Sequence, residues 1–407
     1  MRRVIFERKN GGLGREKPTE DGISGLIFNA VAVSGTFVLG TAYELYSLQD
    51  AEVLGINATY DSANKLLVHY HISEFFRINP GAILYVLGVA QSVTMTQMCD
   101  KDNAYLKKLL TSAQGKIRQV GVVRNPASGY TPTITTGLDG DVVTAIAKAD
   151  QLSIEEEAYY RPVEIILEGK YFTGSPSAAL DLHTQKKSNV SVVIVADNDI
   201  SILKPEYTGH AAIGTVLGCI SKAAVNENIG WAEKFNIQSE ADERFLNAGL
   251  SSGLKLSDYS EVQLTTLNDK GYITPELIID IAGVYLNDSF TCTGLDDDFY
   301  CIENNRVIKK SIRLVYKVLA PKVKRPTKVD KITGYLPLEV VKFYQATAKS
   351  AMDVLLRNNE VSDTNAYMNP QQNLLATNEL VIDIEITPTG SARKIRVPIG
   401  FNNPFKS

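Results

Sequence analysis

The run Val190-Ser191-Val192-Val193-Ile194-Val195-Ala196 constrains this chain more than any other stretch. It is too short for a helix and has a single polar member, Ser191. A short continuous apolar run is the mark of a strand buried on both faces, the situation of strands in a parallel sheet. Residues 82–90 form a second such run, and 119–123, 162–167 and Phe37-Val38-Leu39-Gly40 supply further strands. Helical patterns lie between them. Ser47-Leu48-Gln49-Asp50 opens a short helix with a serine N-cap. Residues 61–79 carry a longer amphipathic pattern ended by Pro80-Gly81, and 100–114, 141–160 and the small-residue stretch 210–224 are also helical. Strands alternating with helices predict an α/β body on a mostly parallel sheet. Residues 237–267 are polar and carry no clear period, whereas 277–285 is again strand-like.

The last hundred residues follow another plan. Ile308, Ile312, Val315 and Leu319 recur at the helical period and make one apolar stripe. Arg306, Lys310, Arg313 and Lys317 make a second stripe on the far side. Pro321 ends this helix, because proline gives no N–H and its ring clashes with the preceding turn. A basic linker, 322–331, leads to a second helix opening at Pro337, with Glu339 in its first turn, and running to about Arg357. Its apolar side holds Val341, Tyr344, Ala348, Met352 and Leu355. Leu380, Ile382, Ile384 and Ile386 then alternate with Val381, Asp383, Glu385 and Thr387, a strand with one buried face. Pro388-Thr389-Gly390-Ser391 reads as a turn, and Ile395, Val397 and Ile399 as the second strand of a hairpin. At the other terminus, Val4-Ile5-Phe6 is a short strand signal, followed by a glycine-rich stretch at Gly11, Gly12 and Gly14.

The expected class is therefore α/β, α+β overall: a mostly parallel body, a C-terminal helix–helix–hairpin domain, and extended terminal arms. The expected divisions are an arm over 1–21, a body over 22–265 with room for an inserted subdomain at about 112–170, a C-terminal domain over 266–391, and a terminal strand over 392–407. A length of 407 residues supports two or three domains. The net charge of −4 gives no global pull towards nucleic acid. The longest strongly apolar stretch, 211–220, is about half the ~20 residues that span a bilayer, and the N-terminus lacks a signal-peptide pattern. Cys99, Cys219, Cys292 and Cys301 are scattered and form no CxxC, which suggests reduced thiols in a cytosolic setting.

Candidate chemistry weighs little against structural readings. Gly249-Leu250-Ser251-Ser252-Gly253 matches the nucleophile-elbow pattern, but no histidine follows His210 and the upstream residues are polar, so a flexible loop is expected. His69 and His71 point about 200° apart on a helix, a poor geometry for a shared metal. Asp197-Asn198-Asp199 ends a buried strand, where α/β proteins often bind ligands, yet it also suits a plain turn. Asp296-Asp297-Asp298 lacks the glycine and distal glutamate of a calcium loop. Gly214 and Gly218 suggest close helix packing, and Trp231 a core position. No cofactor and no metal are expected. The basic run is distinctive: between Glu303 and Lys331 there are ten lysines and arginines against two acids. A solvated helix face, nucleic acid and an acidic protein surface are the options, and the scarcity of interleaved aromatic residues, Tyr316 alone, disfavours a single strand.

Dispersed motifs across most of the chain resemble the tail sheath proteins of contractile phage tails and related injection machines. Gly11-Gly12-Leu13-Gly14-Arg15 and Asp21-Gly22-Ile23-Ser24-Gly25-Leu26-Ile27 resemble a sheath arm entering the first domain. Ser47-Leu48-Gln49-Asp50-Ala51-Glu52-Val53-Leu54-Gly55 is similar to the family's S-x-x-E-x-x-x-x-F-G helix. Gly81-Ala82-Ile83-Leu84-Tyr85-Val86, His210 to Gly218, and Leu267-Asn268-Asp269-Lys270-Gly271-Tyr272 resemble the glycine-led strand, the small-residue helix and the LN-x-x-G step. The family's WGARTL strand is replaced by Cys292-Thr293-Gly294-Leu295-Asp296, and its proline-rich middle motif is blurred. The resemblance implies a mechanical, non-enzymatic role as a homo-oligomer of hexameric rings stacked around an inner tail tube protein. Baseplate and tail terminator proteins would be further partners, with assembly in the bacterial host cytoplasm and no membrane insertion or direct nucleic acid. It also implies that Val4, Ile5, Phe6 and Ile395, Val397, Ile399 pair with neighbouring subunits. The basic stripe Arg306, Lys310, Arg313 and Lys317 is expected to face the tube. The alternatives are a cytosolic α/β enzyme working near Asp197 and Asp199, and a nucleic-acid-binding protein using 303–331.

Overall fold

The apolar runs assemble into a six-stranded sheet in the computed structural model, which describes residues 20–402. Its strands are β1 (Ser24–Asn29), β2 (Ala42–Leu45), β3 (Leu84–Val89), β4 (Gln119–Val123), β5 (Glu164–Glu168) and β6 (Val190–Val193), in the order β2-β3-β1-β4-β5-β6. All neighbours run parallel except β2, which is antiparallel to β3 at one edge. Both faces are covered, which is why these strands are mostly apolar, with Gln119, Glu164 and Glu168 among the buried polar exceptions. One face carries the helices α1 (Val68–Ile78) and α3 (Ile213–Lys222); the other carries Leu106–Ser112 and α2 (Gly140–Ala158).

Several local expectations change. Phe37 pairs only with Val33 in a tight turn and fills the core, so 37–40 is no sheet strand. The pattern over 61–79 is two helices, Ala58–Asn64 and α1, parted where Lys65 takes a left-handed φ of 57°. Buried Asp61 spans the break: its carboxylate accepts the N–H groups of Val68, His69 and Tyr70. The run from Val190 serves two sheets. Ile194 leaves the main sheet, and β7 (Val195–Asp197) pairs antiparallel with β8 (Ala248–Leu250). Trp231 is 46% exposed and lies outside the core.

The two glycines of α3 let it lie against α1. A Cβ on Gly214 would come within 2.0 Å of the His71 carbonyl oxygen, and one on Gly218 within 2.9 Å of Ile78. The hairpin β9 (Pro275–Ile278) and β10 (Ile281–Leu286) follows, then α4 (Ile302–Leu319) and α5 (Leu338–Arg357). Val341, Tyr344, Ala348, Met352 and Leu355 are all buried on α5, as their spacing predicts. The terminal hairpin is different from the expected one. Strand β12 (Asp383–Pro388) pairs antiparallel with β11 (Val361–Tyr367), and residues 394–399 form no strand.

Candidate assembly interface

Helix α4 sits with its charged face inward. Arg306 is 4% exposed and donates to the carbonyls of Asp21, Ala223 and Ala224. Lys309 pairs with buried Glu164 at 2.7 Å. Lys310, 8% exposed, lies 2.6 Å from Asp21 and 2.7 Å from Glu360. Arg313 reaches the other oxygen of Asp21 at 2.6 Å. Burial alone would raise the Asp21 carboxyl, but Lys310 and Arg313 outweigh it and hold its pKa below the ordinary value. Burial pushes the Arg313 guanidinium down to about 10. This corrects the expected free basic stripe: Arg306, Lys310 and Arg313 bind the helix to its own body, and only Lys317 is exposed. The freely exposed cations lie beyond the helix, at Lys324, Arg325, Lys328 and Lys331.

The apolar stripe of the same helix is left half-open. Ile308, Ile312, Val315, Tyr316 and Leu319 line a groove of about 630 Å³, closed on the other side by Ile384 and Ile386 of β12 and at one end by Tyr160 and Val323. The Tyr160 ring stacks on Tyr316 with centroids 4.0 Å apart. Beside the groove, β12 pairs only with β11, so among the described residues its other edge has no ladder partner. An unpaired edge next to a strip of isoleucine, valine and leucine is a template for one more strand. Helical period and strand alternation identified the two walls in the sequence, but not that they would be left uncovered.

The proposed pairing segments are consistent with such a need. Ile395, Val397 and Ile399 are 80%, 67% and 91% exposed, and their alternation faces solvent. Val4, Ile5 and Phe6 lie outside the described residues.

The remaining chemical candidates are structural. Asp197 caps the helix that follows it and accepts the N–H groups of Asp199 and Phe245; Asp199 holds Asn247. Ser251 stands on a tight turn, not in a flexible loop, and its buried hydroxyl donates to the Gly169 carbonyl. His69 lies 3.6 Å from Glu52, whereas His71 is buried, and among the described residues no cluster could hold a metal. Burial holds the His210 imidazole down at about 3, against an ordinary 6.5. It is neutral in the fold, whereas the unfolded chain protonates it below pH 6.5. Stability is therefore full above pH 6.5 and falls towards pH 3, by up to about 1.4 kcal/mol per pH unit from this group. Urea titrations at pH 7 and pH 5 should show His210→Gln losing less than the parent on acidification; equal losses would contradict this.

The α/β body with a helix-and-hairpin C-terminal region is the fold of contractile sheath proteins. A chain in the cryo-EM structure of the anti-feeding prophage baseplate superposes with a TM-score of 0.63 at 13% identity, covering 98% of each chain. A chain of the PVC extracellular contractile injection system sheath, in its contracted state, gives 0.60 at 9% identity over 99% of this chain and 98% of that one. The sheath tail protein of Listeria innocua gives 0.53 at 11% identity, over 93% and 94%. The chain belongs to the DUF2586 family: its N-terminal domain model matches residues 1–290 and its C-terminal domain model residues 298–406. No curated protein matches the sequence.

Proposed function

We propose that this protein is the subunit of a contractile sheath, polymerising as hexameric rings around an inner tube and contracting to drive that tube through a target envelope. One observation carries the reading: α4 buries its charges and leaves its apolar stripe open beside an unpaired strand edge. An isolated chain gains nothing from that arrangement, whereas a neighbour's strand laid in the groove satisfies the edge and covers the stripe. Each aliphatic side chain fully covered contributes about 1.5–3 kcal/mol. Terminal strands of adjacent copies, Val4 to Phe6 and Ile395 to Ile399, supply it. Such links would tolerate rotation of the bodies if the glycine-rich stretch at Gly11, Gly12 and Gly14 gives way while the backbone ladder holds. The likeness to sheath folds supports a mechanical role. Lys317 and the loop cations Lys324, Arg325, Lys328 and Lys331 are the surface we assign to an acidic tube. Baseplate and terminator proteins complete the set of partners.

Two changes test this by electron microscopy and light scattering. Deleting residues 1–15 should abolish striated tubes and leave monomers with near-native circular dichroism. Ile312→Asp, placed in the half-open groove, should do the same with little change in the monomer's melt. Tubes of normal length from either variant would refute the strand-exchange reading.

A further inference from the structure

Beyond β12 the described chain is nearly free of the body. Thr389 accepts from Asn226 at 3.0 Å, and every residue from 390 to 402 is exposed. Among these thirteen, only Arg393 places its side chain in hydrogen bonds, and it makes four. Its Nε and Nη2 grip both oxygens of Asp288 at 2.7 and 3.0 Å, Nη2 also reaches Glu303 at 2.9 Å, and Nη1 donates to the Tyr300 hydroxyl at 2.6 Å. The guanidinium also lies 4.8 Å from the centre of the Tyr300 ring.

The receiving site is held by the body of the protein. Asp288 and Glu303 are both buried, and Asn228 donates to both, at 2.6 and 3.1 Å. Among the described residues neither carboxylate pairs with any other cation. Two buried like charges side by side are unfavourable unless a cation joins them. A forked, planar donor that also stacks on an aromatic ring fits this site, and a lysine does not. The two carboxylates stand on either side of the joint between the regions matched by the two family domains: Asp288 follows β10, and Glu303 is in the first turn of α4.

We propose that Asp288 and Glu303 form a guanidinium socket that fixes the root of the C-terminal segment at Arg393. The free arm then begins at Lys394, not at the end of β12, and a pull on it is delivered to the joint between body and α4. The mechanical consequence rests on the sheath reading; the socket itself does not.

The test uses a nitroxide label on the full chain. The four native cysteines are buried, so an introduced exposed cysteine is labelled selectively. A label at Ser391→Cys lies between Thr389 and the socket, and one at Val397→Cys lies beyond it. Arg393→Gln should shorten the rotational correlation time at 391 by roughly threefold or more and leave 397 unchanged. Arg393→Lys should resemble Arg393→Gln. Because Arg393→Gln strands two buried acids, Asp288→Asn is added to it: folding should recover while 391 stays mobile. An unchanged label at 391, or one tethered again by lysine, would overturn the socket. With the socket confirmed, Arg393→Gln should also slow tube growth by the parent assay. If the parent itself makes no tubes, the sheath reading falls, and the label measurement still decides the socket.

Discussion

Reversing the charge at Lys310 should cost the unassembled subunit about 3–5 kcal/mol, because it breaks a buried ion-pair network. Lys310 stands between Asp21 and Glu360, which enter from opposite ends of the chain. With glutamate in its place, three carboxylates would meet in a site from which water is largely excluded, and Arg313, with Arg306 and Arg118 further off, would be left to balance them. Asp21 lies immediately before β1, so the same change loosens the point where the N-terminal segment joins the sheet. Urea denaturation of Lys310→Glu followed by circular dichroism measures the loss. Lys317→Glu, two turns further along and exposed, should change stability by less than about 0.5 kcal/mol and act only on assembly. Equal melts for the two variants would mean that the charged face of α4 is not anchored as described.

Replacing Gly214 by valine should be at least as damaging. The α1–α3 contact leaves no room: an added Cβ meets the carbonyl oxygen of His71 at 2.0 Å and that residue's carbonyl carbon and Cα at 2.7 Å. These are backbone atoms of a helix, which cannot turn aside as a side chain would. Overpacking commonly costs about 1–3 kcal/mol, and a clash with a fixed backbone belongs at or above the top of that range. Accumulation of insoluble Gly214→Val, or a midpoint shift larger than that of Gly218→Ala, is the expected result. Gly218→Ala meets mainly the Ile78 side chain at 2.9 Å. Gly390→Ala, with nothing within 4 Å, should be silent. A soluble Gly214→Val of parental stability would show that the two helices do not cross at this point.

The sequence by itself determined the elements whose information is local. Largely apolar runs marked β3, β4 and β6, since a strand covered on both faces has few positions open to polar residues. The N-cap at Ser47, the stop at Pro321 and the start at Pro337 were legible because capping and proline sterics act within a turn. Period 3.6 separated α4 into two faces and placed the core of α5 correctly. The family resemblance was legible in the same local way, through motifs spread along the chain, and it anticipated the sheath fold.

Tertiary structure decided which face of α4 lies inside. Periodicity separates faces but cannot orient them, and charges turn inward only when partners wait there. Those partners are Asp21, Glu164 and Glu360, whose positions along the chain bear no local relation to the helix. The partner of β12 was equally hidden: Val361-Ser362-Asp363-Thr364-Asn365-Ala366-Tyr367 is polar, and it is a strand because β12 lies beside it. Ile395, Val397 and Ile399 show the converse. They alternate like a strand but find no edge among the described residues, so the pattern alone could not distinguish a hairpin from an arm. Strand pairing is non-local, and only the assembled fold shows which edges are taken and which are left for another chain.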